Sequence, residues 1–364
     1  MSWKGVGCLR ITFVLPFFSE RPIGGFKVVY DYATRLAARG HQVVVAHPQH
    51  LERQRPLLRT LRAKLSRSQD LSRNLARFWY PDCDSFTMAF VPSPSPKYLP
   101  DADVAVATGW RTAPWVADWP ARKGRGYYLI QHYETWDGPK NAVDATWTLP
   151  LHKIVIAQWL YDLGCTQFHQ QNHMTYVPNG IDFDRFAMQI PPQSRRPDTV
   201  GMLYHTNVWK GAADGIAALQ DVKERIPTLQ VRLFGTPERS ADIPSWMDYS
   251  CQPAPTELTR LYNEVALFVH TSWMEGWGLT AAEAMACGAA LVATDNGGVR
   301  DYNEEGVTAL FSPPKNVPAL AEHIRDLIEE PEARIRLALN GYDHIRQYTW
   351  DRAIDRIETL FQGE

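Results

Sequence analysis

Two carboxylates eight residues apart, Glu275 and Glu283, are the groups in this chain most suited to chemistry. They frame the stretch Glu275-Gly-Trp-Gly-Leu-Thr-Ala-Ala-Glu283. Gly276 and Gly278 make the first half too glycine-rich for a helix interior. The run Ala281–Ala286 is a strong helix former. The apolar run Val265-Ala-Leu-Phe-Val269 before it reads as a buried strand. The predicted order is strand, glycine loop, helix, with Glu275 in the loop and Glu283 about one turn into the helix. A helix starting near Gly278–Thr280 turns free amide N–H groups toward an anion, most naturally a phosphate.

Positioning such a loop takes a sheet, and the chain supplies two runs of alternating strands and helices. In the first half, Leu9–Leu15 reads as a strand, Gly24-Gly25 closes a loop, and a helix over 26–39 ends at Gly40. Strand His41–Ala46 then completes a βαβ unit, which makes the sheet parallel and puts its ligand at the strands' carboxyl ends. Strands at Val104–Ala107, Gly126–Ile130, Lys153–Ala157 and Met174–Val177 continue the pattern, and the proline-rich 91–100 stretch reads as loop. Turn chemistry at Pro178-Asn-Gly-Ile-Asp182 and a Pro/Arg-rich connector mark a boundary. Strands at Thr199–Tyr204, Gln230–Phe234, Val265–Val269 and Ala290–Ala293 restart the alternation with their helices. The expected organisation is an N-terminal α/β domain over 1–178, a second over 179–346, and a C-terminal helical segment over 347–364. A ligand is expected in a cleft between two such domains.

Composition narrows the class. Hydrophobic content of 45% and charge of 21% are those of a globular protein. A net charge of −2 leaves no footprint for nucleic acid. The apolar runs are too short to span a bilayer. The opening residues run into the first strand without a signal-peptide pattern, and the five cysteines form no C-x-x-C pair. Both features lead to the expectation of a reducing cytoplasm and no structural zinc. Residues 51–77 carry eight Arg or Lys against two acids, with Leu57, Leu58, Leu61 and Leu65 at helical spacing. They read either as a basic helix on the inner face of the plasma membrane or as a solvated helix covering the sheet. Six of the 13 tryptophans fall between Trp110 and Trp159, as core or as a platform for an acceptor. No G-x-G-x-x-G follows the first strand, and G-x-x-x-x-G-K-[ST], H-E-x-x-H and G-x-S-x-G are absent. That argues against a dinucleotide dehydrogenase, a P-loop NTPase, a zincin and an α/β-hydrolase.

Taken in order, several short motifs resemble the retaining glycosyltransferases of family 4, the glycosyl transferases group 1. These are Gly24-Gly25, Arg39-Gly40-His41-Gln-Val43, Val177-Pro-Asn-Gly-Ile-Asp182 with Phe186, Lys210-Gly211, Glu275-x7-Glu283, Asn296-Gly-Gly-Val-Arg-Asp301 and Trp350. The resemblance covers almost the whole chain. It implies a GT-B fold, with two Rossmann-like domains facing across a cleft and a C-terminal helix crossing back to the first. It also implies transfer of a hexose or deoxyhexose from a UDP-, GDP-, ADP- or dTDP-sugar to a glycan or lipid-linked acceptor, in cell-surface polysaccharide or glycoconjugate assembly.

By that analogy Lys210 meets the donor phosphate, Glu275 faces the transferred sugar, Glu283 holds the ribose, and His132 lines the sugar from the N-domain. Gly24, Gly25, Gly235, Gly276, Trp277, Gly278, Leu279 and Thr280 approach the donor. The implied mechanism is front-face, with the leaving phosphate deprotonating the acceptor and neither metal nor cofactor required. The chain departs from the pattern before Lys210, where an Arg is usual and Gly201–Lys210 has none. His205, Asn207 or Arg300 is the replacement. Asp301 stands where Glu is more frequent. Two other classes fit the same fold: a nucleotide-sugar 2-epimerase and a non-catalytic nucleotide-sugar scaffold.

Overall fold

Val104-Ala-Val-Ala107 shows no polar alternation, and all four residues are buried. A strand apolar on both faces belongs in the middle of a parallel sheet with helices on each side. The computed structural model, which describes residues 7–52 and 80–363, places it there. The basic stretch over 51–77 lies outside the described residues apart from Leu51 and Glu52.

The chain divides into two units, Met1–Pro178 with Ile354–Glu364, and Asn179–Ala353. The first unit contains β1 (Arg10–Val14), β2 (Gln42–Pro48), β3 (Thr87–Val91), β4 (Val104–Ala107), β5 (Arg125–Ile130), β6 (His152–Val155) and β7 (Met174–Tyr176). They pair in parallel in the order β3-β2-β1-β4-β5-β6-β7. The strand order reverses between β1 and β4, so a crevice opens beyond the carboxyl ends of these two strands. Helices α1 (Gly24–Ala38), α2 (Ala113–Ala117), α3 (Lys140–Trp147) and α4 (Gln158–Thr166) connect them. α1 buries Val28, Val29, Tyr32 and Leu36, the face expected from the sequence. It begins at Gly24, so Gly24 and Gly25 form its first turn and not the end of the preceding loop.

The second unit contains β8 (Thr199–Leu203), β9 (Gln230–Gly235), β10 (Asp248–Cys251), β11 (Leu267–His270), β12 (Ala290–Thr294) and β13 (Ala309–Ser312). Their order is β10-β9-β8-β11-β12-β13, again all parallel, and its reversal lies between β8 and β11. The helices are α5 (Ala212–Arg225), α6 (Pro255–Glu264), α7 (Leu279–Ala286), α8 (Val317–Glu329) and α9 (Pro331–Ile345). The core joins Val200, Met202, Leu233, Val269 and Val292 of the strands to Ile216, Leu219, Ile324 and Leu337 of the helices. The architecture is α/β with two doubly wound parallel sheets.

α10 (Trp350–Gln362) is shared between the units. Through Ala353 it belongs to the second, where Trp350 lies on Gly180, so closely that a Cβ there would sit 2.5 Å from the Trp350 Cα. From Ile354 onward it belongs to the first. There Ile354, Ile357 and Phe361 are buried, and the Phe361 ring lies 4.8 Å from that of Tyr127. Arg39 and His41 both bond the buried Glu358, and Arg39 also pairs with Asp355 at 2.7 Å.

Edge strands β3, β10 and β13 were not anticipated from the sequence. β10 buries none of its four residues. An edge strand is specified mainly by the backbone of its one neighbour, so its own side chains carry little signal.

Candidate active site

The crevice of the second unit forms where the chain leaves β8 and β11. After β8 it runs through Tyr204–Asn207 into a single 3₁₀ turn, Val208–Lys210, and turns into α5 at Gly211. Gly211 has φ +63°, and a Cβ there would lie 2.1 Å from the Thr271 carbonyl oxygen. Only glycine fits so close to another backbone in this conformation. After β11 the chain passes Thr271, Ser272 and Trp273 to Glu275. The Thr271 hydroxyl donates to the Lys210 carbonyl (2.8 Å), and the Trp273 N–H donates to the Trp209 carbonyl (2.8 Å). These two bonds fix the two loops against each other.

Their result is an ion pair. Lys210 Nζ lies 2.6 Å from Glu275 Oε1. The Ser272 hydroxyl donates to the same oxygen at 2.8 Å, and His270 Nε2 stands 3.6 Å from it. The Glu275 side chain is only 12% exposed. Burial by itself would raise its pKa, but Lys210, His270 and the Ser272 hydroxyl outweigh that and hold it down at about 2. His270 is moved down to about 4, chiefly by burial, with Glu275 opposing and Lys210 adding to the shift. It is therefore a neutral imidazole at neutral pH. Burial, then Lys210, also lower the pKa of His205, whose Nδ1 accepts the Asn207 N–H at 3.0 Å.

Gly278, at φ +91°, is the N-cap of α7 and has no side chain with which to cap it. A Cβ there would meet the Tyr302 hydroxyl at 2.9 Å. The first turn of α7 carries no acidic residue, so its positive end is uncompensated by a side chain. The Glu275–Gly278 loop rests on Asn296–Gly298. The Glu275 N–H reaches the Asn296 carbonyl at 3.4 Å, and a Cβ on Gly298 would lie 2.9 Å from the Glu275 carbonyl oxygen.

Most of the residues expected at the donor from the sequence lie on these two loops, on α7 or at the end of β9. Gly276 is buried, and Leu279 and Thr280 are half-buried in the first turn of α7. Trp277 is 2% exposed and packs on Tyr302 and Tyr348 at 4.7 and 5.7 Å, so its side chain anchors the loop from beneath. Glu283, on α7, is buried and accepts the Tyr262 hydroxyl at 3.2 Å. Gly235 ends β9 against the Tyr204 carbonyl, 2.3 Å from where a Cβ would be. Arg300 is engaged elsewhere: it grips Asp295 through two bonds of 2.9 Å and lies over the Phe311 ring. The partner of Lys210 is thus Glu275 itself, with His205 close enough to feel its charge.

Gly24, Gly25 and His132 belong to the first unit. Gln131 Nε2 donates to the Gly25 carbonyl at 3.0 Å. The His132 ring meets Trp136 edge-on at 4.3 Å and Trp159 at 5.5 Å. Of the six tryptophans, Trp147 is fully buried against Phe168, and Trp115 and Trp119 bond the Leu51 and Pro94 carbonyls. Trp136 is 41% exposed.

Sequence reasoning missed His270 and Ser272. Their signal was present, since the polar run His270-Thr-Ser272 closes an otherwise apolar strand at its carboxyl end and continues into the loop. Among the described residues no group of three His, Cys, Asp or Glu is placed to hold a metal ion, and no helix is long and apolar enough to cross a membrane.

Comparison with known proteins gives a coherent picture. Residues 186–344 match the family described as glycosyl transferases group 1. The O-antigen biosynthesis protein RfbC of Myxococcus xanthus is 26% identical over 269 residues, 71% of this chain and 20% of that protein. A D-inositol 3-phosphate glycosyltransferase of Thermomonospora curvata is 35% identical over 115 residues, 30% of this chain and 26% of that enzyme. The chain therefore spans well under half the length of these curated relatives. Among solved structures, Anabaena Alr3699/HepE in complex with UDP-glucose superposes with a TM-score of 0.74 at 16% identity, covering 98% of this chain and all of that one. Sucrose-phosphate synthase from Thermosynechococcus elongatus superposes with a TM-score of 0.69 at 15% identity, covering 97% and 98%. The second unit thus resembles the glycosyl transferases group 1 over residues 186–344, on a chain with the GT-B fold.

Proposed function

We propose that the protein is a retaining glycosyltransferase that moves a hexose or deoxyhexose from a nucleoside diphosphate sugar to a glycan or lipid-linked acceptor. The observation that carries this reading is the Lys210–Glu275 pair beside the uncapped N-terminus of α7. One crevice then offers a cation and helix amides to a diphosphate, and a carboxylate to sugar hydroxyls. The HepE structure, with its UDP-glucose, supports a nucleotide-sugar donor. The name of the M. xanthus relative supports a role in surface polysaccharide assembly.

In transfer, the bond from the anomeric carbon to the phosphate oxygen breaks while the acceptor oxygen bonds that carbon on the same face. The departing diphosphate gains negative charge, and stabilising it in the transition state lowers the barrier. An ammonium has three donors, so Lys210 can hold a phosphate oxygen while still bonding Glu275. The α7 amides meet the same charge. Glu275, kept ionised by its neighbours, accepts from hydroxyls of the transferred sugar. Glu283 serves the ribose in the same manner, exchanging its Tyr262 contact for ribose hydroxyls. The proton of the acceptor passes to the leaving phosphate, which requires no protein base and no metal.

The test is a thermal-shift panel of UDP-, GDP-, ADP- and dTDP-sugars, because a ligand that binds the folded state stabilises it by mass action. One donor class should raise Tm at saturation, and the shift should vanish in Lys210→Ala. That donor should then release nucleoside diphosphate only when an acceptor extract is added. Conversion of donor without acceptor would identify an epimerase instead, and no shift with any donor would overturn the proposal.

A further inference from the structure

The Pro/Arg-rich connector that leads into β8 carries a buried cation. Arg195 is 5% exposed and donates all five of its guanidinium N–H groups to backbone carbonyls. Nε and Nη2 meet Ile190 at 2.9 and 2.7 Å, and Nη1 meets Val265 at 2.9 Å and Tyr262 at 3.2 Å. Nη2 also bonds the Cys287 carbonyl. Tyr262 lies in the last turn of α6, Val265 just after it, and Cys287 just after α7. One guanidinium thus sits on the negative ends of two helices and on carbonyls that need a partner from outside the helix.

The surroundings are built for it. Gly288 has φ +85°, and a Cβ there would lie 3.0 Å from Nη2 and 2.7 Å from the Met188 sulfur. The buried Asn263 ties the same connector to α6, accepting the Gln189 N–H at 2.6 Å and donating to the Ala187 carbonyl at 3.1 Å. Burial lowers the Arg195 pKa to about 10, with Cys287 opposing, so the group stays charged at neutral pH. An apolar side chain would fill the space with a smaller desolvation cost, but it could not hold two helix ends by their carbonyls.

These contacts close a circuit. Arg195 bonds the Tyr262 carbonyl, and the Tyr262 hydroxyl donates to Glu283 Oε2 at 3.2 Å. The Glu283 carbonyl accepts the Cys287 N–H at 3.1 Å, and the Cys287 carbonyl returns to Arg195. The placement of α6 against α7 therefore decides where the Glu283 carboxylate stands.

We propose that Arg195 is a positioning residue for the nucleotide: by clamping the ends of α6 and α7 it places the Glu283 carboxylate for the ribose hydroxyls. The proposal rests on the ribose role given to Glu283 above and adds the residue that fixes its geometry. A carboxylate already aimed needs no ordering when the ribose arrives, and a displacement of about 1 Å is enough to lose the contact.

The experiment is calorimetric titration of the full chain with UDP, GDP and ADP and with their 2′-deoxyribose counterparts. The parent should bind at least one ribonucleotide about tenfold more tightly than its 2′-deoxy form. Arg195→Lys keeps the charge but offers three donors where the guanidinium has five. It should reduce the ribose preference to about twofold or less. Arg334→Lys is the control. Arg334 is comparably buried, at 4%, and bonds the Leu327 and Ile328 carbonyls at the end of α8 at 2.7 and 3.2 Å. Its loss should lower Tm and leave the ribose preference as in the parent. A second pair serves if Arg195→Lys does not fold. Gly288→Ala crowds Nη2 and should lower the preference, whereas Gly306→Ala, at φ +73° in open space, should not. An unchanged preference in Arg195→Lys, or in Gly288→Ala where Arg195→Lys does not fold, overturns the proposal. So does an equal loss in Arg334→Lys or Gly306→Ala, which would make the effect one of stability alone. A parent that binds nucleotides without ribose preference removes the role of Glu283 and this proposal together while nucleotide binding stands. A parent that binds none of them removes the donor reading and the proposal with it.

Discussion

Glu275 is a carboxylate that stays ionised out of water because Lys210, Ser272 and His270 surround one of its oxygens. Removing one member of such a pair strands the other. Lys210→Met should therefore cost about 2 kcal/mol of stability, less than for a fully buried pair because the lysine is 24% exposed. Adding Glu275→Gln to Lys210→Met should recover most of that loss, as read by thermal unfolding of the single and double variants. Both should lack transferase activity. The depressed Glu275 pKa also has a sign. Its stabilisation is fully present above the ordinary value of 4.5 and is lost as pH falls toward about 2. The Tm gap between the parent and Glu275→Gln should narrow across that window. A gap independent of pH would mean the carboxylate is not held by these neighbours.

At the level of elements, two glycines set the site. Gly211 turns the chain so that Lys210 faces Glu275, and its position tolerates neither a Cβ nor its φ of +63° in another residue. Gly211→Ala should lower Tm and abolish nucleotide binding together, because the Thr271 backbone must move to admit the methyl group. The α7 terminus offers a prediction in which stability and binding change in opposite directions. Thr280→Asp places a negative charge in the uncapped first turn. It should raise the stability of the free protein by about 0.5 kcal/mol through the helix dipole, yet weaken nucleoside diphosphate binding by about tenfold through repulsion of the phosphate. Tm without ligand and titration with UDP measure the two effects separately. If binding is unchanged, the anion is not held at this helix end.

Across the whole molecule, the last helix ties a distant part of the chain to the first unit. His41 Nδ1 accepts the Leu9 N–H at 3.1 Å, so its Nε2 carries the proton and donates to Glu358 at 2.8 Å. Arg39 bonds the same carboxylate. Glu358→Gln removes the buried carboxylate charge that Arg39 and His41 share, so it should cost about 2 kcal/mol. The loss should appear as a lower Tm, while UDP binding, which we assign to the second unit, stays intact.

The sequence alone determined the two parallel α/β units, the strand–loop–helix around Glu275, and the glycines and lysine of the second crevice. Those features rest on local properties: apolar periodicity, helix propensity and turn chemistry. What it left open were the edge strands β3, β10 and β13, the choice among partners for Lys210, and the contacts of His270 and Ser272. The edge strands and the partner of Lys210 depend on residues far apart in the chain, and His270 and Ser272 on the turn that brings them to Glu275. Arg300 was a reasonable candidate beside Lys210 until Asp295 took its Nε and Nη2. Trp277 looked like a ligand contact in the motif, yet the fold turned its ring into the core. Spacing along a chain constrains which side chains share a loop, whereas the direction a side chain takes and the charge it meets are settled by the packing of other elements around it.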